Sequence, residues 1–160
     1  MATLTRITPC LWFDTQGEEA AQLYTSIFEN SRITLVTHYG SAGPRPAGMV
    51  MMVVFELAGQ EFIALNGGPE FTFDEAVSFQ VNCESQEEID YFWAKLSDGG
   101  EEGPCGWLKD RFGVSWQITP TSMYDMMRDP DTEKMQRVMK AVLGMGKLDL
   151  AELQRVAESS

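Results

Sequence analysis

Histidine, cysteine and positive charge are what this 160-residue chain has least of, and each shortage removes a class of function. The one histidine, His38, cannot by itself build the ligand sets that most catalytic metals need. Cys10, Cys83 and Cys105 are odd in number and widely spaced, so they make neither a zinc pattern nor a complete disulfide framework. Reduced thiols in a cytoplasmic protein are the expectation. Lys and Arg number 12 against 24 Asp and Glu, a formal net charge of -12. That charge repels phosphate backbones and anionic lipid, so neither nucleic acid nor a membrane is expected as a partner. The longest apolar run, Met49 to Phe55, is far short of a bilayer span, and the opening segment Met1 to Arg6 lacks the apolar core of a secretory signal.

What is present is enough apolar material, 44% of residues, to bury one good core. A single domain over residues 1–160 is expected, built from two similar halves. The first half (5–69) opens with an apolar strand, Ile7 to Phe13, then Thr15 and Glu18 at capping-box spacing. Ala20, Leu23, Tyr24, Ile27 and Phe28 follow with helical periodicity, then strand-like segments at Ile33 to Tyr39, Val50 to Leu57 and Gln60 to Asn66. The second half (74–120) repeats this layout about 70 residues later. It has a strand from Val77 to Cys83, a helix start at Ser85 to Glu88, and an apolar stripe of Ile89, Phe92, Trp93 and Leu96. Strand-like pieces follow around Glu101 to Cys105, Trp107 to Lys109 and Val114 to Thr119.

Each half therefore reads β-α-β-β-β, with tight turns at Ala58-Gly59 and Asp110 to Gly113. Consecutive antiparallel hairpins imply an α+β fold rather than a doubly wound parallel sheet. The Gly- and Pro-rich connection from Gly40 to Gly48 reads as a mobile loop in preference to a lid over a pocket. Beyond Pro120 the pattern turns helical, and the tail 121–160 holds Met123, Met126, Met127, Met135, Met139 and Met145. Methionine stripes are adaptable packing surfaces, so this tail is expected to cover the sheet or a partner subunit rather than a ligand.

The strand alternation carries the functional signal. Ser78, Gln80 and Asn82 share one face of their strand, and Ser115, Gln117 and Thr119 share one face of theirs, while Phe79, Val81, Trp116 and Ile118 point the other way. A wall of hydroxyls and amides orients a carbonyl, amide or phenol-like ligand by hydrogen bonding but does not deprotonate one. Ser78, Gln80, Ser115 and Gln117 are thus candidate ligand-binding residues. Trp107, near the sheet's end, joins them as a ring that stacks on a flat ligand, in preference to Trp12. His38 and Cys105 are the weaker, catalytic candidates: a base near neutral pH with no placed carboxylate, and a thiol flanked by glycines with no histidine beside it. Glu56, inside an apolar strand, reads as the outward-facing end of that strand, and Asp110 with Arg111 as a solvated turn pair.

The two modules, the run Phe62 to Pro69, and above all Cys105-Gly106-Trp107 with Trp116-Gln117 resemble the PhnB-like branch of the glyoxalase/bleomycin-resistance, or vicinal oxygen chelate, superfamily. The branch is often labelled 3-demethylubiquinone-9 3-methyltransferase-like. The resemblance covers Ile7 to about Thr119 and extends to the helical tail. It implies two βαβββ modules forming a curved mixed sheet, and a homodimer. In metal-dependent members each module supplies His or Gln from its first strand and Glu from its last. That pattern falls here on Thr8 or Pro9 with Asn66, and on Ala76 with Gln117, which makes Asn66 a further ligand-binding candidate. Neutral amides alone hold a divalent transition metal weakly. No metal site and no cofactor are therefore expected. A conventional S-adenosylmethionine domain needs a glycine-rich turn between a parallel strand and a helix, whereas Gly67-Gly68-Pro69 follows a hairpin strand.

The first functional reading is a small-molecule-binding protein of this fold. An enzyme of the same superfamily, whether a metal-dependent lyase, isomerase or dioxygenase or the methyltransferase of the label, is the alternative. A dimeric interaction module is a third, less specific possibility.

Overall fold

The computed structural model describes residues 5–159; the expectation about the amino-terminal leader falls partly on residues 1–4, outside them. The chain divides into two compact units, Met1–Phe73 and Asp74–Ser160.

The first unit runs β1 (Cys10–Phe13), α1 (Gly17–Ile27), β2 (Arg32–His38), β3 (Val50–Leu57) and β4 (Gln60–Asn66). Its mixed sheet has the order β1-β4-β3-β2, with β1 parallel to β4 and the other pairs antiparallel. The β3–β4 connection is the expected two-residue turn. Ala58 and Gly59 both take positive φ, 49° and 85°, as the right-handed twist of a type I′ hairpin requires. Helix α1 packs on one face of this sheet, where Tyr24, Phe55, Val53 and Ala20 are buried.

The second unit repeats the plan with β5 (Ser78–Cys83), α2 (Gln86–Ser97), β6 (Glu101–Glu102), β7 (Trp107–Lys109) and β8 (Ser115–Pro120), in the sheet order β5-β8-β7-β6. β5 and β8 are parallel, and β7 is antiparallel to both its neighbours. The strand expected over Glu101 to Cys105 is only two residues long, because Pro104 lacks a ladder donor and Cys105 leaves the extended region at φ 61°. Val81, Trp116 and Ile118 are buried on the face that meets Ile89, Trp93 and Leu96 of α2. The alternation read from the sequence therefore holds, and the polar set occupies the opposite face.

Three further helices, α3 (Ser122–Arg128), α4 (Thr132–Leu143) and α5 (Leu150–Glu158), belong to this second unit. Met123, Val138, Leu148, Leu153 and Ala157 form their buried cluster. No helix among the described residues is long and apolar enough to cross a membrane.

Helix starts show where local motifs lose to long-range partners. Ser85 caps α2 as expected, its side chain accepting from the Glu88 N–H at 3.2 Å. Asp149 caps α5 through the Glu152 N–H. At α1 the Thr15–Glu18 box does not form: the first-turn N–H of Gly17 goes instead to Asn66 Oδ1 at 2.8 Å. A Cβ on residue 17 would sit 2.8 Å from that oxygen, so glycine is what lets the amide in.

Candidate functional site

The Cys105–Gly106 turn anchors the site. Both residues have positive φ, 61° and 82°, and the Trp107 N–H closes the turn on the Pro104 carbonyl at 3.0 Å. Their own N–H groups face outward and donate to Met145 and Gly146 carbonyls at 2.7 and 2.8 Å. The tail is thus hydrogen-bonded to the edge of the β7–β8 hairpin. Gln86 fastens it a second time, Nε2 donating to the Leu148 carbonyl and Oε1 accepting from the Leu150 N–H.

Held this way, α3 and α4 overlie the polar face of the second sheet and border an open-sided cavity of about 390 Å³. Its sheet side is made by Gln80, Gln117, Thr119, Trp107 and Cys105. Its helix side is made chiefly by Met123, Met126, Met127, Met135 and Met139. The methionine-rich tail covers the sheet of its own chain, as one of the two expectations had it, and the same methionines also line the cavity.

Hydrogen bonds orient the two glutamine amides. Gln117 Nε2 donates to Ser78 Oγ at 2.9 Å, while Gln80 Nε2 donates to Tyr124 Oη at 2.6 Å and to Asn82 Oδ1 at 3.0 Å. Tyr124, from α3, is the one polar contributor to the lining among the described residues of the tail and was not foreseen in the sequence. Among the described residues, carboxylate, histidine, lysine and arginine side chains are absent from the lining.

A smaller cavity of about 180 Å³ lies at the other end of the same face, sharing Trp107 and lined also by Ser115, Lys109 and Glu75. Lys109 and Glu75 form an ion pair that lowers the Glu75 carboxyl and raises the Lys109 ammonium relative to their ordinary values. Charge is therefore sorted along the sheet: ionic beside Ser115, neutral around Gln117.

Of the ligand-binding candidates, Gln80, Trp107 and Gln117 meet in the larger cavity. Ser78 supports Gln117. Ser115 is buried, with its hydroxyl unpaired among the described residues, and belongs to the smaller cavity. Asn66 lies in the first unit and has a structural occupation: besides holding Gly17, its Nδ2 donates to the Val50 carbonyl at 3.1 Å, and its own carbonyl accepts from the Tyr39 hydroxyl at 2.7 Å. Trp12 donates to the Gly68 carbonyl at 2.9 Å within that unit. Cys105 lines the larger cavity. His38 is exposed at the end of β2.

One other reading changes. Asp110 is not a solvated turn residue: it is 3% exposed, and its carboxylate accepts from the Phe112 and Val114 N–H groups at 2.9 and 3.0 Å and from Trp116 Nε1 at 2.9 Å. Arg111 turns away and pairs with Asp98. Glu56 does lie outward, in an ion pair with Arg32 across β2 and β3 at 3.2 Å. The 40–48 loop is closed at its base by Tyr39 hydrogen bonds to Met49 and Gly48, and Arg45 clamps it to Asp14.

The chain's likenesses agree with this architecture. A PhnB protein from Bacillus cereus is 38% identical, with a TM-score of 0.66, the match covering 73% of this chain and 100% of that one. A Pseudomonas aeruginosa protein is 21% identical over 73% of this chain and 98% of its own, at a TM-score of 0.60. A genomically encoded fosfomycin resistance protein from Listeria monocytogenes, 14% identical over 81% of this chain and 99% of its own, shares the fold at 0.53. No curated protein matches. The family model for 3-demethylubiquinone-9 3-methyltransferase matches residues 5–119, both βαβββ modules without the tail. The chain belongs to that family, and its fold is the glyoxalase/bleomycin-resistance, or vicinal oxygen chelate, fold.

Proposed function

We propose that this protein binds a small organic molecule in the cavity above β5, β7 and β8, with Gln117, Gln80 and Trp107 as its principal contacts. The observation that carries this reading is the convergence of two amides, a threonine hydroxyl and an indole on one cavity of about 390 Å³, a volume within the range of small-molecule sites. A lining of amides and hydroxyls orients a ligand by hydrogen bonding.

A catalytic divalent metal, as metal-dependent members of the superfamily use, does not fit the donors present. Gln117 stands where such members place a carboxylate, and its amide nitrogen is already turned to Ser78. Among the described residues no group of three or more His, Cys, Asp and Glu is placed to hold an ion. The reading also takes the protein as a cytoplasmic homodimer; its three unpaired cysteines support a reducing compartment.

Native mass spectrometry of freshly purified protein, with metal analysis of the same sample, tests the reading. A retained organic ligand at stoichiometric occupancy is the expected result. Gln117→Ala removes one neutral hydrogen bond to the ligand, about 0.5–1.5 kcal/mol or roughly twofold to tenfold in affinity, with the fold nearly intact. A stoichiometric transition metal, or a Gln117→Ala protein that unfolds with no specific binding change, overturns it.

A further inference from the structure

We infer that the carboxy-terminal helices set the ligand class of this site: a neutral, predominantly apolar molecule that presents a hydrogen-bond donor to the Gln117 carbonyl. This rests on the reading of the sheet face as a ligand site and adds what the tail does to it.

The family model ends at residue 119, and the Bacillus cereus relative is matched over its whole length by 73% of this chain. The tail lies outside the residues that the family model matches. Yet α3 and α4, with the segment to Leu148, provide most of the cavity wall: five methionines with Val138, Val142, Leu143 and Leu148. Unbranched thioether side chains adapt to a ligand's shape and are polarizable against a flat ring. Burying a charge against such a wall without a partner is strongly unfavourable. Lys109, the cation on the neighbouring cavity of this face, is already paired with Glu75.

The donor requirement comes from the amides. Gln117 Nε2 spends one of its two N–H groups on Ser78, and Gln80 Nε2 spends both of its on Tyr124 and Asn82. These bonds leave mostly acceptor capacity for a ligand, the two glutamine carbonyl oxygens against one remaining Gln117 N–H. A hydroxyl or N–H on an apolar body satisfies those oxygens; an ether or a carboxylate does not.

Three naphthalene probes separate these requirements in calorimetric titrations of the full chain at neutral pH: 2-naphthol, which is neutral with a donor; 2-methoxynaphthalene, which is neutral without one; and naphthalene-2-sulfonate, which is charged. 2-Naphthol should bind at one site, roughly twofold to tenfold tighter than the methyl ether, and the sulfonate should not bind measurably. Gln117→Ala should erase the difference between the two neutral probes. Met127→Glu and Met139→Glu, at side chains already 51% and 42% exposed, should weaken both neutral probes on the order of tenfold with circular dichroism and melting unchanged.

Sulfonate binding equal to that of 2-naphthol, and sensitive to Gln117→Ala, overturns the ligand class and leaves the sheet site standing. Indifference of every probe to Gln117→Ala and to both methionine variants overturns the site as well. Affinity that falls as protein concentration rises identifies a second copy of the chain as the occupant and also overturns the proposal.

Discussion

Replacing Asp110 should cost more stability than its place in a turn suggests. The carboxylate holds three N–H donors, two from the backbone of its own hairpin and one from the Trp116 indole, all at 2.9–3.0 Å. Hydrogen bonds to a charged group contribute about 1.5–3 kcal/mol each, and a buried donor left without a partner costs about 1–3 kcal/mol. In Asp110→Ala the half-buried Phe112 N–H can turn to water, whereas those of Val114 and Trp116 lose their partner while buried. The expected loss is about 3–5 kcal/mol, a large share of the roughly 5–15 kcal/mol that holds a typical domain together.

Asp110→Asn keeps an oxygen for the two backbone donors but points an NH₂ at the indole, so about 1.5–3 kcal/mol is expected. Urea unfolding followed by tryptophan emission measures both, because Trp93, Trp107 and Trp116 all lie in the second unit. The order should be wild type, then Asp110→Asn, then Asp110→Ala, with a constant denaturant slope. An Asp110→Ala protein within about 0.5 kcal/mol of wild type would refute the assignment of Asp110 as the organiser of this hairpin.

Asn66→Ala removes the cap of α1 and the donor to Val50, and thermal unfolding should show a loss of about 1–3 kcal/mol. Ala58 sits at φ 49° in the β3–β4 turn, so Ala58→Asn should raise the melting temperature, relieving about 0.5–1 kcal/mol of left-handed strain; a lower melting temperature would contradict the turn type. Burial, and secondarily the Glu88 charge, pushes the Cys83 thiol from 9.0 up to about 12. At pH 8, peptide mapping after iodoacetamide treatment should therefore find Cys105 alkylated well before Cys83. Because the folded pKa is the higher one, the stability this thiol contributes is complete below pH 9 and is lost as pH rises from 9 toward 12. Cys83→Ala should flatten that alkaline decline in urea-unfolding free energy.

Much of the architecture was legible because strand alternation and helical periodicity report directly which side of an element is apolar. Trp116 and Ile118 alternate with Ser115, Gln117 and Thr119, and the structure puts the two sets on opposite faces. Periodicity does not say what an apolar face will meet. The tail's methionines were readable as a stripe, but their place opposite Gln117 depends on backbone bonds from Cys105 and Gly106 to residues about 40 positions away. Asp110 was misread because an acidic residue near a glycine resembles an ordinary exposed turn. Its indole partner, six residues further along, draws the carboxylate inward. Likewise Thr15 and Glu18 have the spacing of a local cap, while the group that caps α1 is 49 residues away. The available signal was Gly17, a residue with little other reason to open a helix.

That distant cap has a consequence for how the first unit opens. A helix held by a neighbouring serine frays at its own first turn while the rest of the fold stays shut. Here the Gly17 N–H, the Val50 carbonyl and the Tyr39 hydroxyl all converge on one residue at the end of β4. Releasing the helix start means disturbing the strand that carries Asn66, so the Gly17 amide should exchange with solvent at the slow pace of the sheet interior rather than at that of a helix end.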